Sequence, residues 1–500
     1  MALPSSPLPV VIIGAGPVGL AAAAHVRERG LTPLVFEAGA DIAAGIRRWS
    51  HVRLFSPWEY AIDKAAERLL RAQGWESQDP TAFPTGSELI QHYLEPLART
   101  PELAPHIHTG ARVIGVSRLG RDRMKSAERD STPFVVRIDR AGQEDEVIAQ
   151  AVIDASGTID SPNPLGASGL FAIGERAARE QIYYGVPDVL GRERDRYAQR
   201  RVLVVGSGHS AFNVLTDLAR LAHAEPGTTI QWAIRRASLA RVLGGGENDQ
   251  LKERGKLGQR VRGLIEDGVV ALATDFHLDR LTRSSAGWIA HSGDTSLAAV
   301  DEIVATTGFR PDLSLLAEVR LDLDPATQSP SALAPLIDPN LHSCGTVRPH
   351  GAEELKQPDA NLYIVGMKSY GRAPTFLMLT GYEQVRSVAA AIAGDWEAAR
   401  RVELVLPETG VCSTDFDDAG AGCGSSCSAT TTEGPSCSIA AANDVVVASA
   451  CCGGPASADI DACCVKDAEA KASGQPGCGC DEPVAVAVAP AAPRAASCCH

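Results

Sequence analysis

Apolar residues along this chain fall into short β-branched runs, set apart by glycine turns and by stretches of helical spacing. Val10, Val11, Ile12 and Ile13 form the first run, with the continuous hydrophobicity of a buried parallel strand. A helix is predicted over residues 20–29 and a second strand over 34–36. After the turn signal of Pro84, Thr85 and Gly86, the positions Leu89, Ile90, Tyr93, Leu94 and Leu97 give residues 87–99 one apolar helical side. Residues 108–116 and 134–140 read as strands of a hairpin-like meander, and the charged stretch 118–130 between them reads as exposed. An apolar strand over 151–157 ends in small residues, the break at 161–164 ends this part of the fold, and 166–200 reads as a polar, irregular connection. A second strand–helix–strand unit follows over 202–205, 210–223 and 229–234. Short strands are predicted at 269–272, 278–281, 287–290, 300–308 and 362–366, then a helix over 375–393. Strands alternating with helices predict an α/β fold with parallel sheets.

Two of these strands run into glycine motifs. Gly14, Gly16 and Gly19, with Ala15 and Pro17 between them, have GxGxxG spacing. The first glycine allows a tight turn, the second lets backbone approach a pyrophosphate, and the third lets the helix pack on the strand. Glu37, followed by Ala38, ends the next strand where a carboxylate can hold a ribose hydroxyl. The second motif runs Gly206, Ser207, Gly208, His209, Ser210, Ala211, with alanine in place of the third glycine. Its second strand ends in Arg235 and Arg236, which suit a ribose 2′-phosphate. The contrast with Glu37 assigns FAD to the first motif and NADPH to the second. Gly157, Gly308 and Gly366 close apolar strands where backbone meets a cofactor, and Trp49 and Val113 are further candidate contacts. Arg53, Ser56 and Trp58 are candidates for the flavin-facing wall, and the Gly-rich loop 243–258 for a mobile segment near the nicotinamide.

These features divide the 500 residues into a first FAD segment (1–165), an NADPH-binding insertion (166–299), a returning FAD segment (300–410) and a tail (411–500). The fold class expected is two Rossmann-like dinucleotide-binding domains followed by a disordered, cysteine-rich tail. A net charge of −14 argues against nucleic-acid and anionic-membrane partners. The first apolar run lacks a preceding basic region and reads as strand one rather than as a signal peptide, and no stretch has the length of a membrane span. A cytoplasmic location is expected.

Cysteine usage changes the picture. Of 13 cysteines only Cys344 precedes the tail. The tail has eleven acids, three bases and a single aromatic, Phe416, too little apolar surface to offset its ordering entropy. Ten of its twelve thiols fall in close pairs: Cys451 with Cys452, Cys463 with Cys464, Cys498 with Cys499, joined by Cys423 with Cys427 and Cys478 with Cys480. Adjacent cysteines form only strained disulfides, and paired soft thiolates favour thiophilic ions, among them As(III), Sb(III), zinc and copper(I). The spacing differs from that of an ordinary structural zinc site.

Over about residues 8–395 the layout resembles two-dinucleotide-binding flavoproteins, which include flavin-containing monooxygenases and thioredoxin-reductase-like enzymes. The resemblance implies FAD on the first motif and NADPH on the second. Two departures stand out: the folded body has no Cys-x-x-Cys, and the FxGxxxH fingerprint of flavin-containing monooxygenases is absent before the second motif. With its cysteine-rich tail the chain resembles the monooxygenase-like proteins of arsenic resistance. That resemblance implies O2 as co-substrate and oxidation of a soft lone-pair donor, chemistry that needs no side-chain nucleophile because the cofactor carries it. A disulfide or metal reductase using the tail thiols, and a metalloid scavenger on a flavoprotein scaffold, are the alternatives.

Overall fold

The computed structural model describes residues 7–239, 252–340, 347–373 and 376–404. Its first seven strands are Val10–Ile13 (β1), Pro33–Phe36 (β2), Ile107–His108 (β3), Arg112–Arg118 (β4), Phe134–Arg140 (β5), Gln143–Ala149 (β6) and Ala151–Asp154 (β7). The next are Ile182–Tyr184 (β8), Arg201–Val205 (β9), Thr229–Ala233 (β10), Val270–Ala273 (β11), Arg280–Ser284 (β12), Gly287–Ser292 (β13), Thr295–Ser296 (β14) and Glu302–Ala305 (β15), and Leu362–Ile364 (β16) comes last. Four main helices accompany them: Pro17–Glu28 (α1), His209–Ala224 (α2), Lys252–Glu266 (α3) and Met378–Ile392 (α4).

β1 is apolar on both faces and so lies at the centre of a parallel sheet of order β16-β7-β1-β2-β3. On one face pack α1 and α4. The fully buried Ala21–Ala24 run of α1 has side chains small enough to let the helices and sheet approach closely. On the other face lies the antiparallel sheet β4-β5-β6, whose Val113, Val116, Phe134, Val136 and Ile138 meet Val11, Ile13 and Val152. The second half repeats this plan. Its parallel sheet, β11-β10-β9-β15-β8, carries α2 and α3 on one face and the antiparallel β12-β13-β14 on the other. The fold is the expected α/β arrangement of two parallel sheets, and the described residues all fall in one compact unit.

Four expectations change. β15 pairs with β9 and β8, so the crossing back to the first sheet falls after Ala305 and not at residue 300. The connection 166–200 contains β8, a three-residue edge strand too short to show a pattern. The meander has a third strand, β6, hidden by its acidic sequence. Residues 252–258 of the predicted loop are the first turns of α3, while 240–251 lie outside the described residues. The helical stretch near 87–99 begins with a capping box in which Thr85 and Glu88 exchange hydrogen bonds, and it contains a wider turn at Ile90–Leu94. Leu89, Ile90, Tyr93, Leu94 and Leu97 are all buried. No helix among the described residues is long and apolar enough to cross a membrane.

The charged stretch 118–130 is mostly exposed, as expected, but two of its arginines turn inward. Arg118 and Arg129 are both buried around Asp359, which receives Arg129 Nε at 2.7 Å, Arg129 Nη2 at 2.9 Å and Arg118 Nε at 3.2 Å. The Arg320 N–H adds a fourth hydrogen bond at 2.7 Å, and Arg118 lies 3.8 Å above the Phe134 ring. Burial alone would raise the Asp359 carboxyl; the hydrogen bonds from Arg129, Arg320 and Arg118 outweigh it and hold it below the usual range. Removing the carboxylate strands two buried guanidinium groups, so Asp359→Ala is expected to cost about 3–5 kcal/mol in urea unfolding at neutral pH. A carboxyl with a depressed folded pKa stabilises above its unfolded value of about 3.9 and loses that contribution as pH falls through the folded value. The gap between wild type and variant therefore closes on acidification below about pH 4, and equal stability at neutral pH would contradict this account.

Candidate functional site

The three glycines of the first motif do different work. A Cβ on Gly19 would overlap the carbonyl oxygen of Gly14, and one on Gly14 (φ +98°) would lie 2.8 Å from the Ala155 carbonyl oxygen. A Cβ on Gly16 would meet nothing within 4 Å. Gly14 and Gly19 thus fix the strand–helix contact, and Gly16 faces open space at the start of α1. Pro17 takes the first helical position, where no N–H is needed, and no side chain caps this end.

Glu37 is buried at the end of β2, where its carboxylate accepts from Ala15 N at 2.9 Å and Gly39 N at 2.8 Å. It is aimed at the glycine turn by the turn's own backbone, and Ala38 beside it is half-buried. The β4 end abuts the same place, since Ala111 N donates to the Glu37 carbonyl at 2.8 Å. Val113 lies two residues further on, with its side chain in the meander core.

The neighbouring strands deliver two more turns. Gly157 (φ +70°) follows β7 and Gly366 (φ +66°) follows β16, where a Cβ would sit 3.3 Å from Val18 of α1. Gly366 N donates to Gln384 Oε1 at 2.7 Å, and Gln384 Nε2 contacts Ser369 Oγ and His350 Nε2, each at 2.9 Å. His350 Nδ1 is 3.0 Å from the Arg348 carbonyl, which can only accept. The proton is therefore on Nδ1 and Nε2 accepts from Gln384. Burial lowers the His350 pKa, in keeping with the neutral ring that this network requires. Beside it Lys368, almost fully buried, donates to Asp154 Oδ2 at 2.6 Å. Sequence reading missed this pair. Its only signals were an acid closing the otherwise apolar β7 and a lysine two residues after a strand-final glycine.

In the second motif a Cβ on Gly206 (φ +126°) would overlap the Thr306 carbonyl, whereas Gly208, just ahead of α2, is open and exposed. Trp232 Nε1 donates to the Gly206 carbonyl at 2.7 Å. Ala211 is fully buried where the first motif has glycine. Ser207, His209 and Ser210 are half-buried around the turn. Arg235 is exposed past the end of β10, with Nη1 donating to the Ala167 carbonyl at 3.1 Å, and Arg236 beside it is half-buried. Gly308 (φ +84°) is exposed in the turn after β15.

The structure does not gather Arg53, Ser56 and Trp58 into one surface. Arg53 is exposed, donates to the Phe83 carbonyl and lies 3.8 Å from Glu88. Trp58 is 4% exposed in the first-half core, Trp49 is half-buried against that core, and Ser56 is half-buried. The same loop carries a residue that sequence reading passed over, Phe55, whose ring meets His209 edge-on at 5.1 Å across the two halves. Cys344 and the tail cysteines Cys423, Cys427, Cys451, Cys452, Cys463, Cys464, Cys478, Cys480, Cys498 and Cys499 lie outside the described residues. Among the described residues no cluster of three His, Cys, Asp or Glu side chains is arranged to hold a metal.

Known proteins share this plan. The indole-3-pyruvate monooxygenase YUCCA6 of Arabidopsis thaliana is 27% identical over 228 residues, which cover 45% of this chain and 48% of that protein. The chain thus spans about half the length of this curated relative. The bacillithiol disulfide reductase of Bacillus cereus superposes with a TM-score of 0.58 at 20% identity, covering 78% of this chain and 99% of that one. A cadaverine monooxygenase of desferrioxamine biosynthesis from Erwinia amylovora, solved with FAD, superposes at 0.55 and 14% identity, covering 81% and 100%. At these identities the solved structures establish the fold. The family model described as pyridine nucleotide-disulphide oxidoreductase matches residues 11–333, most of the described chain. The chain belongs to the pyridine nucleotide-disulphide oxidoreductase family.

Proposed function

We propose that the chain is an NADPH-dependent FAD monooxygenase that oxidises a soft nucleophile, foremost trivalent arsenicals or antimonite, to the pentavalent form. The observation that carries the two-cofactor reading is the pair of open glycines, Gly16 and Gly208, each ahead of a long helix whose start no side chain caps. A buried acid follows the first and two arginines the second. In this reading Gly16 and the start of α1 hold the FAD pyrophosphate, and Glu37 takes a ribose hydroxyl. Gly157, Gly308 and Gly366 bring backbone to the cofactors. Ser207, His209, Ser210 and the start of α2 hold the NADPH pyrophosphate, and Arg235 and Arg236 its 2′-phosphate. The half-buried Trp49 and the strand carrying Val113 border the FAD side.

Bound FAD supplies the redox chemistry, passing two electrons from NADPH to O2. One oxygen atom goes to the lone pair of the trivalent centre and the other leaves as water with two protons. The residues bind, orient and exclude water. The described residues contain no cysteine, so no dithiol on the folded body is available to take the electrons, which favours a small acceptor. The paired tail thiols support a thiophilic substrate captured in the cytoplasm, where thiols stay reduced. They also support a second reading, a reductase in which the tail receives the electrons. Deleting residues 411–500 separates the two, since the reductase loses turnover and the monooxygenase keeps it at saturating substrate.

The purified protein is expected to show a flavin spectrum and to oxidise NADPH faster when arsenite, methylarsenite or antimonite is added; no stimulation by any of them sinks the substrate assignment. Replacing Arg235 and Arg236 together by alanine should raise KM for NADPH by about ten-fold or more and leave that for NADH unchanged. Gly16→Val is expected to purify without flavin and with an unchanged apoprotein melting curve. Gly19→Ala should instead lower stability by about 1–3 kcal/mol.

A further inference from the structure

Asp154 and Lys368 have no part in the function proposed above, yet they form an ion pair whose side chains are 0% and 1% exposed. Removing two charges from water is offset only when further hydrogen bonds complete the pair. Ser156 completes this one. Its N–H lies 3.1 Å and its Oγ 2.6 Å from Asp154 Oδ1, and Lys368 Nζ donates to the same Oγ at 3.0 Å. Unlike its two partners, Ser156 is exposed.

A serine hydroxyl has one proton and two acceptor positions. Here the proton is committed to Asp154 and one acceptor position to Lys368. What remains is a single acceptor position on an oxygen beside a buried cation. Such an oxygen suits a hydroxyl donor and has nothing to offer an ionised phosphate.

Sheet order says which hydroxyl. Glu37 follows β2 and Ser156 follows β7, on opposite sides of β1 and its glycine turn. With the adenosine ribose at Glu37 and the pyrophosphate at Gly16, the next part of FAD along the sheet is the ribityl chain. We propose that Ser156 accepts a hydrogen bond from a ribityl hydroxyl of FAD, and that Asp154 and Lys368 are positioning residues that fix its proton inward. This inference rests on the FAD reading above.

The test is titration of wild-type and variant apoprotein with FAD and with three FAD analogues, each lacking one ribityl hydroxyl. Ser156→Ala leaves the ion pair in place but removes two of its hydrogen bonds, so it is expected to lower apoprotein melting while still folding, and to weaken FAD binding about ten-fold. The double variant Asp154→Asn with Lys368→Met removes both charges together, so neither is left buried alone, and should weaken FAD binding similarly. One analogue should bind wild type about ten-fold more weakly than FAD does, and that difference should vanish in both variants. Wild type that binds FAD no more tightly than Ser156→Ala does, or variants that keep the wild-type ratio between FAD and every analogue, would overturn the assignment alone. Wild type that takes up no FAD overturns the FAD reading and this assignment with it.

Discussion

The contact between Gly19 and the carbonyl of Gly14 sets the position of everything at the carboxyl end of the first sheet. Because no side chain fits there, the first turn of α1 sits directly on the strand that precedes it. The buried alanines of α1 continue the close approach, and α4 packs on α1 in turn. Glu37 reaches back to Ala15, and Gly366 packs on Val18, so three separate strand ends are referred to one turn. The second half uses the same device in looser form: Gly206 crowds Thr306, and a buried alanine replaces the third glycine.

The halves are copies in plan but not in chemistry. Each has a parallel sheet with helices on one face and a three-stranded antiparallel sheet on the other. What differs is the residue set at the strand ends, acidic and buried in one and basic and largely exposed in the other. The Phe55–His209 contact joins them beside the second glycine turn.

Strand–glycine–helix units were legible in the sequence because their signals are local: an apolar run, small residues at fixed offsets, then a change of period. Within such units the boundaries of β1, β9 and β10 came within a residue or so. What was not legible depends on partners far along the chain. β8 is three residues long and makes sense only beside β15. Nothing local says that Arg118 and Arg129 enclose Asp359, more than 200 residues away, so within a segment rightly read as exposed their inward turn was not legible. Asp154 and Lys368 are separated by 214 positions. The flavin-wall candidates failed to converge for a related reason: the loop's aromatic character was visible, but not that Trp58 turns into the core while Phe55 turns to the other half.

β6 has a bearing on how the chain behaves among copies of itself. It is an outer strand of its sheet, and its first four residues, Gln143, Glu144, Asp145 and Glu146, are exposed. Arg140 and Arg137 on β5 neutralise part of that charge from the inner side, at 3.1 Å from Asp145 and 3.7 Å from Glu146. An approaching β6 from another molecule would bring carboxylates opposite carboxylates, a juxtaposition that disfavours strand addition. The feature that hid this strand from sequence reading is thus also a barrier to edge-to-edge aggregation along it.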